Sequence, residues 1–322
     1  MEGTKLHFGI KEGEKLLRFD VYSWLPDNDP VCISPGDGAY FQSTIHPDGE
    51  HALFWGGPSG PPRIWRADLD GNDCTPLTPI NSGARHPSYC LNGQRIVYVS
   101  DCGAKQAPET VETVFDENPT GPVRRDLILH IFSMKPDGGD IRQITDGPVQ
   151  DLRPSLSPDG KTICFVSIRG GSTGLWLVPA DGSAKPRKLN VPVTVYRPTW
   201  SPDGKRIYGF AAISNERHQV GWVCPGSGAW TPLANDDIAV THSPFPDPHG
   251  ESLLVHSNRT GRWGLYELKL DDETPPIPLV PHGFEKLICV HPNRARNGVM
   301  TFDSIPENSW SRYRPGNQSL NY

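Results

Sequence analysis

Apolar runs of four to six residues recur along this chain, and turns rich in proline, aspartate and glycine separate them. The clearest case begins at Arg153, where Arg-Pro-Ser-Leu-Ser-Pro-Asp-Gly is followed by the apolar runs 162–167 and 175–178. The same pattern begins again at Arg197, and its Pro-Asp-Gly turn lies 44 residues after the first. Helical periodicity is nearly absent. Four short apolar runs per unit at this period are typical of a β-propeller blade.

Six copies of the pattern can be read, and they open at about Tyr40, His86, Arg153, Arg197, His242 and Lys286. The third and fourth copies match each other closely, whereas the fifth is looser and the sixth keeps only two apolar runs. We therefore predict an all-β chain folded as a six-bladed β-propeller, in one domain that spans residues 1–322.

The two strands missing from the sixth copy can be supplied by residues near the amino-terminal end. Residues 16–21 match the third strand of the first copy, and residues 30–34 can serve as a fourth strand. Pairing strands from both ends of the chain in one blade locks a ring and removes a free sheet edge. We expect residues 1–38 to close the last blade in this way. The alternative is an unrelated extension, which would leave the ring open or five-bladed.

The second copy is interrupted by an insertion at about residues 102–125, rich in proline, glutamate and aspartate. It falls between the second and third strands of its blade. We therefore place it on the face opposite to the Pro-Asp-Gly turns.

The repeat resembles that of the TolB-type propeller family, whose blades carry the same Pro-x-Trp-Ser-Pro-Asp-Gly-Lys-x-Ile turn and strand. Here that motif is present as residues 198–207, and its spacing covers nearly the whole chain. The resemblance implies the fold and says little about function. The same repeat occurs in binding scaffolds, in peptidase gating domains and in carbohydrate lyases.

The net charge of -6 and the pI near 6.0 give no electrostatic reason to expect nucleic acid or an anionic membrane as a partner. No apolar run approaches the roughly 20 residues that span a bilayer. The sequence begins without the charged and then apolar pattern of a secretory signal. We therefore expect a cytoplasmic protein.

The first strand of every blade lines the channel of a propeller, so equivalent positions near its start form a ring at the channel mouth. Across the copies, these positions are Gln42, His86, Arg153, Arg197, His242 and either Lys286 or Leu287. The ring is polar and mostly cationic, and loops on the same face, including residues 214–218, project over it. The alternative is that the arginines form ion pairs with neighbouring aspartates, as Arg153 could with Asp151. Their role would then be only to connect neighbouring blades.

A cationic channel mouth favours an anionic ligand, and a small uronate-containing sugar is the main candidate. In a β-elimination, Arg153 and Arg197 would clamp the carboxylate, and His86 or His242 would remove the adjacent proton. Tyr196 and Tyr40 are candidate proton donors, and Gln42, Tyr40, Arg217 and His218 are candidate substrate-binding residues. In outline the sequence is similar to oligogalacturonate lyases, which also set His and Arg in a propeller of this repeat type.

The sequence departs from those lyases in having fewer blades and no His-x-His pair to carry over their metal ligands. Whether a divalent metal is bound is therefore left open. His86 and His242 belong to opposite blades and would share an ion only across a narrow channel.

Two hypotheses of function follow. One is a carbohydrate-active lyase with its site at the ring. The other is a non-catalytic scaffold that binds a protein or peptide partner over the same mouth. An insertion ordered over the channel would favour the first, and a disordered one would favour the second.

Overall fold

The computed structural model describes residues 19–58, 61–90, 93–101, 113–115, 122–124, 128–169, 172–214, 217–233, 241–270 and 274–306. These residues form six four-stranded antiparallel sheets arranged in a ring, together with one two-stranded hairpin. The prediction of an all-β, six-bladed propeller is confirmed. In this described part of the chain, no helix is long and apolar enough to cross a bilayer.

The strands are numbered in chain order, and each blade is given from the channel outwards. Blade one contains β3 (Ala39–Ile45), β4 (His51–Gly57), β5 (Arg63–Asp68) and β6 (Cys74–Pro76). Blade two contains β7 (Arg85–Tyr89), β8 (Ile96–Ser100), β11 (His130–Met134) and β12 (Arg142–Gln143). Blade three contains β13 (Gln150–Leu156), β14 (Thr162–Arg169), β15 (Ser172–Pro179) and β16 (Arg187–Lys188).

Blade four contains β17 (Val195–Trp200), β18 (Ile207–Ser214), β19 (Arg217–Val223) and β20 (Trp230–Pro232). Blade five contains β21 (Thr241–Pro246), β22 (Ser252–Ser257), β23 (Gly264–Lys269) and β24 (Ile277–Leu279). Blade six contains β25 (Leu287–Arg294), β26 (Met300–Pro306), β1 (Asp20–Trp24) and β2 (Val31–Cys32).

Blade six is completed by strands from the amino-terminal region, as predicted. β1 pairs antiparallel with β26, with Tyr22 opposite Phe302 and Val21 opposite Asp303. Of the predicted strand at residues 16–21, residues 16–18 lie outside the described residues. Phe19 also contacts blade one, because its carbonyl accepts the Tyr40 N–H at 3.0 Å. The same short segment therefore closes blade six and ties it to blade one.

The second strand of most blades is rich in apolar residues because both of its faces are buried between blades. On β4, Leu53 packs toward blade two, whereas Phe54 packs toward blade six. On β22, Leu253 packs toward blade four and Leu254 toward blade six. This double burial explains why the sequence shows apolar runs rather than an alternation of apolar and polar residues.

The turn between the first and second strands places a glycine at positive φ in every blade. The six are Gly49, Gly93, Gly160, Gly204, Gly250 and Gly298, with φ between 70° and 85°. Glycine adopts this region without the steric cost of a Cβ atom, which accounts for the recurring Asp-Gly and Asn-Gly pairs.

The first strand of each blade is broken by a β-bulge at the same position, where the pairing with the second strand shifts. In five blades the bulge contains a proline, which has no N–H to give to the ladder. These prolines are Pro87, Pro154, Pro198, Pro244 and Pro292. A bulge re-aims the side chain that precedes it, and here it aims one side chain per blade into the channel.

Most of the insertion at residues 102–125 lies outside the described residues. Its described part is a hairpin of β9 (Thr113–Phe115) and β10 (Pro122–Arg124). The choice between an ordered lid and a docking tail therefore stays open.

We expect the Phe19→Ala variant to lose about 3–5 kcal/mol of unfolding free energy, because it empties a fully buried site where blades six and one meet. The Phe19 ring lies 4.7 Å from that of Phe41. Leu25→Ala is the matched control, since Leu25 follows β1 and is 41% exposed; it should change stability by about 0.5 kcal/mol at most. Urea denaturation measures both, and equal losses would contradict the proposed closure.

Candidate functional site

An axial channel runs between the six inner strands and encloses a volume of about 120 Å³. One residue from each bulge points into it, and together these form what we call the channel ring: Gln42, His86, Arg153, Arg197, Ser243 and His291. All six have φ between 50° and 55°. Residues other than glycine rarely adopt this region, at a cost of about 1 kcal/mol or more each. The fold thus holds six strained positions at one level of the channel.

Two ring positions differ from those read from the sequence. In blade five the ring residue is Ser243 rather than His242, and in blade six it is His291 rather than Lys286 or Leu287. Counting from the start of the apolar run misplaced both, because the repeat is less regular in these two copies. A better signal was present: in every blade but the first, the ring residue directly precedes proline.

Arg153 reaches across the channel from blade three to blade one. Its Nη1 donates a hydrogen bond to Gln42 Oε1, which also accepts the Trp55 indole N–H at 3.0 Å. Gln42 Nε2 is buried with no hydrogen-bond partner among the described residues. His86, beside them, packs edge-on against Trp55 at 5.3 Å between ring centroids.

Arg197 makes a second bridge, from blade four to blades five and six. Its Nη1 donates to Ser243 Oγ at 2.5 Å, and its Nη2 donates to His291 Nε2 at 3.0 Å. His291 Nδ1 lies 2.5 Å from Asp303 Oδ2, which also accepts the backbone N–H of Gln42 at 2.8 Å.

The hydrogen bonds fix the proton on His291. A guanidinium group can only donate, so Nε2 accepts from Arg197 and carries no proton. The imidazole is therefore neutral, with its proton on Nδ1, and that N–H donates to Asp303. Burial raises the pKa of Asp303, while the Gln42 amide and the charges of Arg197 and Arg153 oppose the rise.

The channel histidines are held in the neutral form. Burial lowers the pKa of His291 well below its usual range, and the charges of Arg197 and Arg153 lower it further. Burial likewise lowers the pKa of His86, with Arg153, Arg85 and Arg197 adding to the effect. The charges of Arg153 and Arg197 therefore lower the pKa of both His291 and His86.

His242 belongs to a buried histidine pair next to the channel. Its Nε2 lies 2.5 Å from His218 Nδ1, and the two rings are only 22° from coplanar. A centroid separation of 4.6 Å with this angle fits an in-plane N–H···N hydrogen bond joining ring edges rather than face-to-face stacking. Phe210 lies against both rings. Burial lowers the pKa of His218 to about 4 and that of His242 well below its usual range.

The two tyrosines suggested by the sequence do not line the channel. Tyr40 is fully buried between blades, where its hydroxyl donates to Asp37 at 2.5 Å and burial raises its pKa. Tyr196 packs on Phe210. The side chain of Arg217 lies outside the described part of the structure. Asp151, considered as a partner for Arg153, forms an ion pair with Arg169 at 2.9 Å.

Sequence reasoning missed three residues besides Ser243. Asp303 and His256 lie on the second strands of their blades, in runs that read as buried apolar structure. His256 Nδ1 accepts the backbone N–H of His291 at 3.3 Å. His291 itself carried the His-Pro signal, whereas nothing in the local sequence marks Asp303.

One group of three metal-ligating side chains is found in the described residues: Asp48, Glu50 and His51, at the turn after β3. Neither His86 nor His242 is part of such a group there. Whether the protein binds a metal stays open.

The fold and the ring define a β-propeller with a polar, arginine-bearing axial channel. Comparisons with known proteins show that the chain is similar to TolB proteins. A TolB homologue of Chlorobium luteolum is 26% identical over 208 residues, which cover 54% of this chain and 46% of that protein. A structure described as TolB of Agrobacterium tumefaciens superposes with a TM-score of 0.67 at 14% identity, over 90% of this chain and 98% of that one. The chain is a six-bladed β-propeller that is similar to TolB proteins in sequence and in structure.

TolB of Acinetobacter baumannii gives a TM-score of 0.55 at 16% identity, over 90% of this chain and 64% of that one. The sequence matches span less than half of the length of the curated relatives. No family model matches the chain.

The prediction of a uronate lyase is wrong. The sequence matches include two TolB homologues, and TolB structures are among the structural matches. These matches give no support to the small anionic sugar, and they do not test the roles predicted for the ring residues, His242 and Tyr196. The cytoplasmic location stays a prediction.

We expect stability to fall as the pH drops below 6.5, because the folded chain keeps His218 neutral down to about pH 4 while the unfolded chain binds the proton. Each buried neutral histidine contributes up to about 1.4 kcal/mol per pH unit in this range. The His242→Gln variant should therefore lose less stability between pH 7 and 5 than the unmodified protein. Urea denaturation at several pH values measures the slope, with His282→Gln, at an exposed histidine, as the control. Equal slopes of stability against pH in His242→Gln and His282→Gln would refute this explanation.

Proposed function

We propose that this protein is a non-catalytic binding scaffold that holds a peptide segment of a protein partner in its axial channel. The observation that carries the proposal is the channel itself. Residues of all six blades line it.

The lining follows the inner strands along the axis. Each inner strand contributes two or three successive residues, so the lined length is about 10 Å at about 3.3 Å per residue. Next to the channel ring lies a level of hydroxyl groups, from Thr44, Ser88, Ser155 and Thr199. Hydroxyls both donate and accept, which matches the alternating N–H and C=O groups of a peptide backbone.

The lining is also rigid, because it is built on strands rather than on loops. The ring residues are fixed by the bulges, and Arg153 and Arg197 are held across the channel by hydrogen bonds. A preorganised site loses little conformational entropy on binding. This supports recognition of a flexible segment by a preformed channel.

The contacts of two buried histidines support binding over catalysis. Of the two candidate bases of the rejected lyase reaction, His86 lines the channel, whereas His242 lies outside the lining and its Nε2 is engaged by His218. His291 Nε2 accepts from Arg197. Neither His242 nor His291 presents a free basic nitrogen to a substrate in this arrangement.

The proposal is tested by selecting random dodecapeptides against the protein and measuring their affinity for a channel-filling variant, Ser88→Tyr. Ser88 lines the channel and is partly exposed there. We expect the selected peptides to bind the variant at least about tenfold more weakly, because the ring of tyrosine occupies their space. Thr75→Tyr, on the exposed outer strand β6, is the matched control and should bind normally. Equal affinity for both variants, or no selected peptide from the folded protein, would exclude a channel-binding scaffold.

A further inference from the structure

The turn between β3 and β4 carries four side chains that can bind a metal ion. In chain order these are His46, Asp48, Glu50 and His51. One ligand atom from each of Asp48, Glu50 and His51 lies within 4.8 Å of the others. His46 joins this group, because its Nδ1 lies 2.8 Å from Asp48 Oδ2. The four residues lie outside the channel lining, so the turn is separate from the channel.

The hydrogen bonds of His46 fix its tautomer. Its Nε2 lies 3.3 Å from the carbonyl oxygen of Gly93, which can only accept, so Nε2 carries a proton. Its Nδ1 accepts the backbone N–H of Asp48 at 3.2 Å, so Nδ1 presents a lone pair. That lone pair lies 2.8 Å from the Asp48 carboxylate. Two electron-rich atoms at this distance repel each other unless a cation lies next to both.

His51 points towards the same carboxylate oxygen. Its Nδ1 lies 3.1 Å from Asp48 Oδ2, and its Nε2 lies 3.5 Å from Asp68 Oδ1. Both histidines therefore turn Nδ1 towards Asp48 and Nε2 towards an acceptor, which is a backbone carbonyl for His46 and a carboxylate for His51. Histidines that bind a metal ion are usually oriented in this way, because their second ring nitrogen donates to a carbonyl or a carboxylate.

His46 is held in place by blade two. The ring of Tyr89 packs edge-on against it, at 4.8 Å between ring centroids. A Cβ atom at Gly93 would collide with Nε2 of His46, so glycine at this position leaves room for the imidazole. A side chain that is already ordered loses little conformational entropy when it binds a ligand.

The equivalent turns of blades three and four provide an internal comparison. Their residues at these four positions are Ser157, Asp159, Lys161 and Thr162 in blade three, and Ser201, Asp203, Lys205 and Arg206 in blade four. In all three turns the aspartate accepts the backbone N–H two residues later. In blades three and four it also accepts the serine hydroxyl at 2.6 Å. Blade one thus keeps the turn and replaces the serine and the lysine by a histidine and a glutamate.

The exchange changes the charge of the turn. In blade four, Lys205 Nζ lies 3.9 Å from Asp203 Oδ2. Blade one has Glu50 at the lysine position, which adds a second negative charge beside Asp48. Burial opposes ionisation of Asp48, but hydrogen bonds from the Glu50 amide, His51 and His46 lower the pKa of this carboxyl group below its usual range. The turn therefore favours a cation from solvent where blade four has one of its own.

We propose that the turn of blade one is a binding site for a divalent transition-metal ion of the zinc type. Nδ1 of His46, Nδ1 of His51 and the carboxylates of Asp48 and Glu50 are its four ligands. Imidazole nitrogen and carboxylate oxygen are donors that suit zinc.

The distances fit a small ion of this kind. Neighbouring ligands of a tetrahedral zinc ion lie about 3.0–3.5 Å apart, close to the 2.8 and 3.1 Å between Asp48 Oδ2 and the two Nδ1 atoms. The ion takes over the lone pair of His46 that the Asp48 amide contacts. Asp48 and Glu50 are exposed, so an ion reaches the site from solvent. This site goes beyond the proposed function of the channel and does not depend on it.

The first test is calorimetric titration of the protein with zinc chloride near neutral pH. We expect one zinc ion to bind at this turn. The variant that combines His46→Ser, Glu50→Lys and His51→Thr gives blade one the side chains of blade three, so it should fold and bind zinc at least about 100-fold more weakly. His282→Gln, at an exposed histidine beside Asp29, is the matched control and should bind zinc normally. Equal affinity in the triple variant and the unmodified protein would overturn the proposal.

The second test follows the histidine side-chain nitrogens by NMR during the titration, with His46→Ser and His51→Thr to assign the signals. We expect zinc to shift Nδ1 of both histidines while each Nε2 keeps its proton. Asp68→Asn should weaken zinc binding about tenfold, because Asp68 orients His51. Asp70→Asn, at the exposed turn after β5, is the control for this variant. Zinc-induced shifts confined to other histidines would overturn the site.

The third test is urea denaturation with and without zinc. The four ligands are brought together by the fold, so zinc binds the folded chain in preference to the unfolded chain. At a free zinc concentration of 100 times the Kd, the ratio of folded to unfolded protein should rise about 100-fold. The triple variant should show no such rise. An equal rise in both proteins, or none in the unmodified protein, would contradict a folded zinc site at this turn. Neither result bears on the channel, because the triple variant leaves the channel lining unchanged.

Discussion

The structure depends on the pairing of β1 with β26, because that ladder turns an open row of blades into a ring. Two segments almost 300 residues apart in the chain meet there, with Val21 opposite Asp303 and Ser23 opposite Thr301. The same five-residue strand is preceded by Phe19, whose carbonyl is bound by the first inner strand. This pairing therefore closes the ring, buries the last blade and holds Asp303 on the strand behind His291.

A second constraint acts on the inner strands. Each must pair with its neighbour and also leave room for an axial channel, and the bulge satisfies both by taking one residue out of the ladder. Proline at the next position removes a donor that would otherwise be unsatisfied. The result is a ring of six side chains with positive φ, so the polarity of the channel is set by the residue before each bulge.

The sequence predicted the fold well and the site only in part, for physical reasons. Turn glycines and doubly buried second strands are local features with strong periodic signals, so blade number and closure could be read directly. The ring could be read where the repeat is regular, at Gln42, His86, Arg153 and Arg197, but it was displaced by one residue in blade five and by more in blade six. Asp303 could not be predicted as a site residue from the local sequence. A carboxylate within an apolar run looks like an ordinary strand residue, and its role depends on His291 and Gln42, which come from two other strands.

The structure is a six-bladed propeller similar to TolB proteins, and we propose that its axial channel binds an extended segment of a protein partner. The most direct measurement is a crystal structure of the protein with a selected peptide. We predict an extended peptide inside the channel, in contact with the channel ring. A peptide bound on the outer edge of a blade would contradict the proposal.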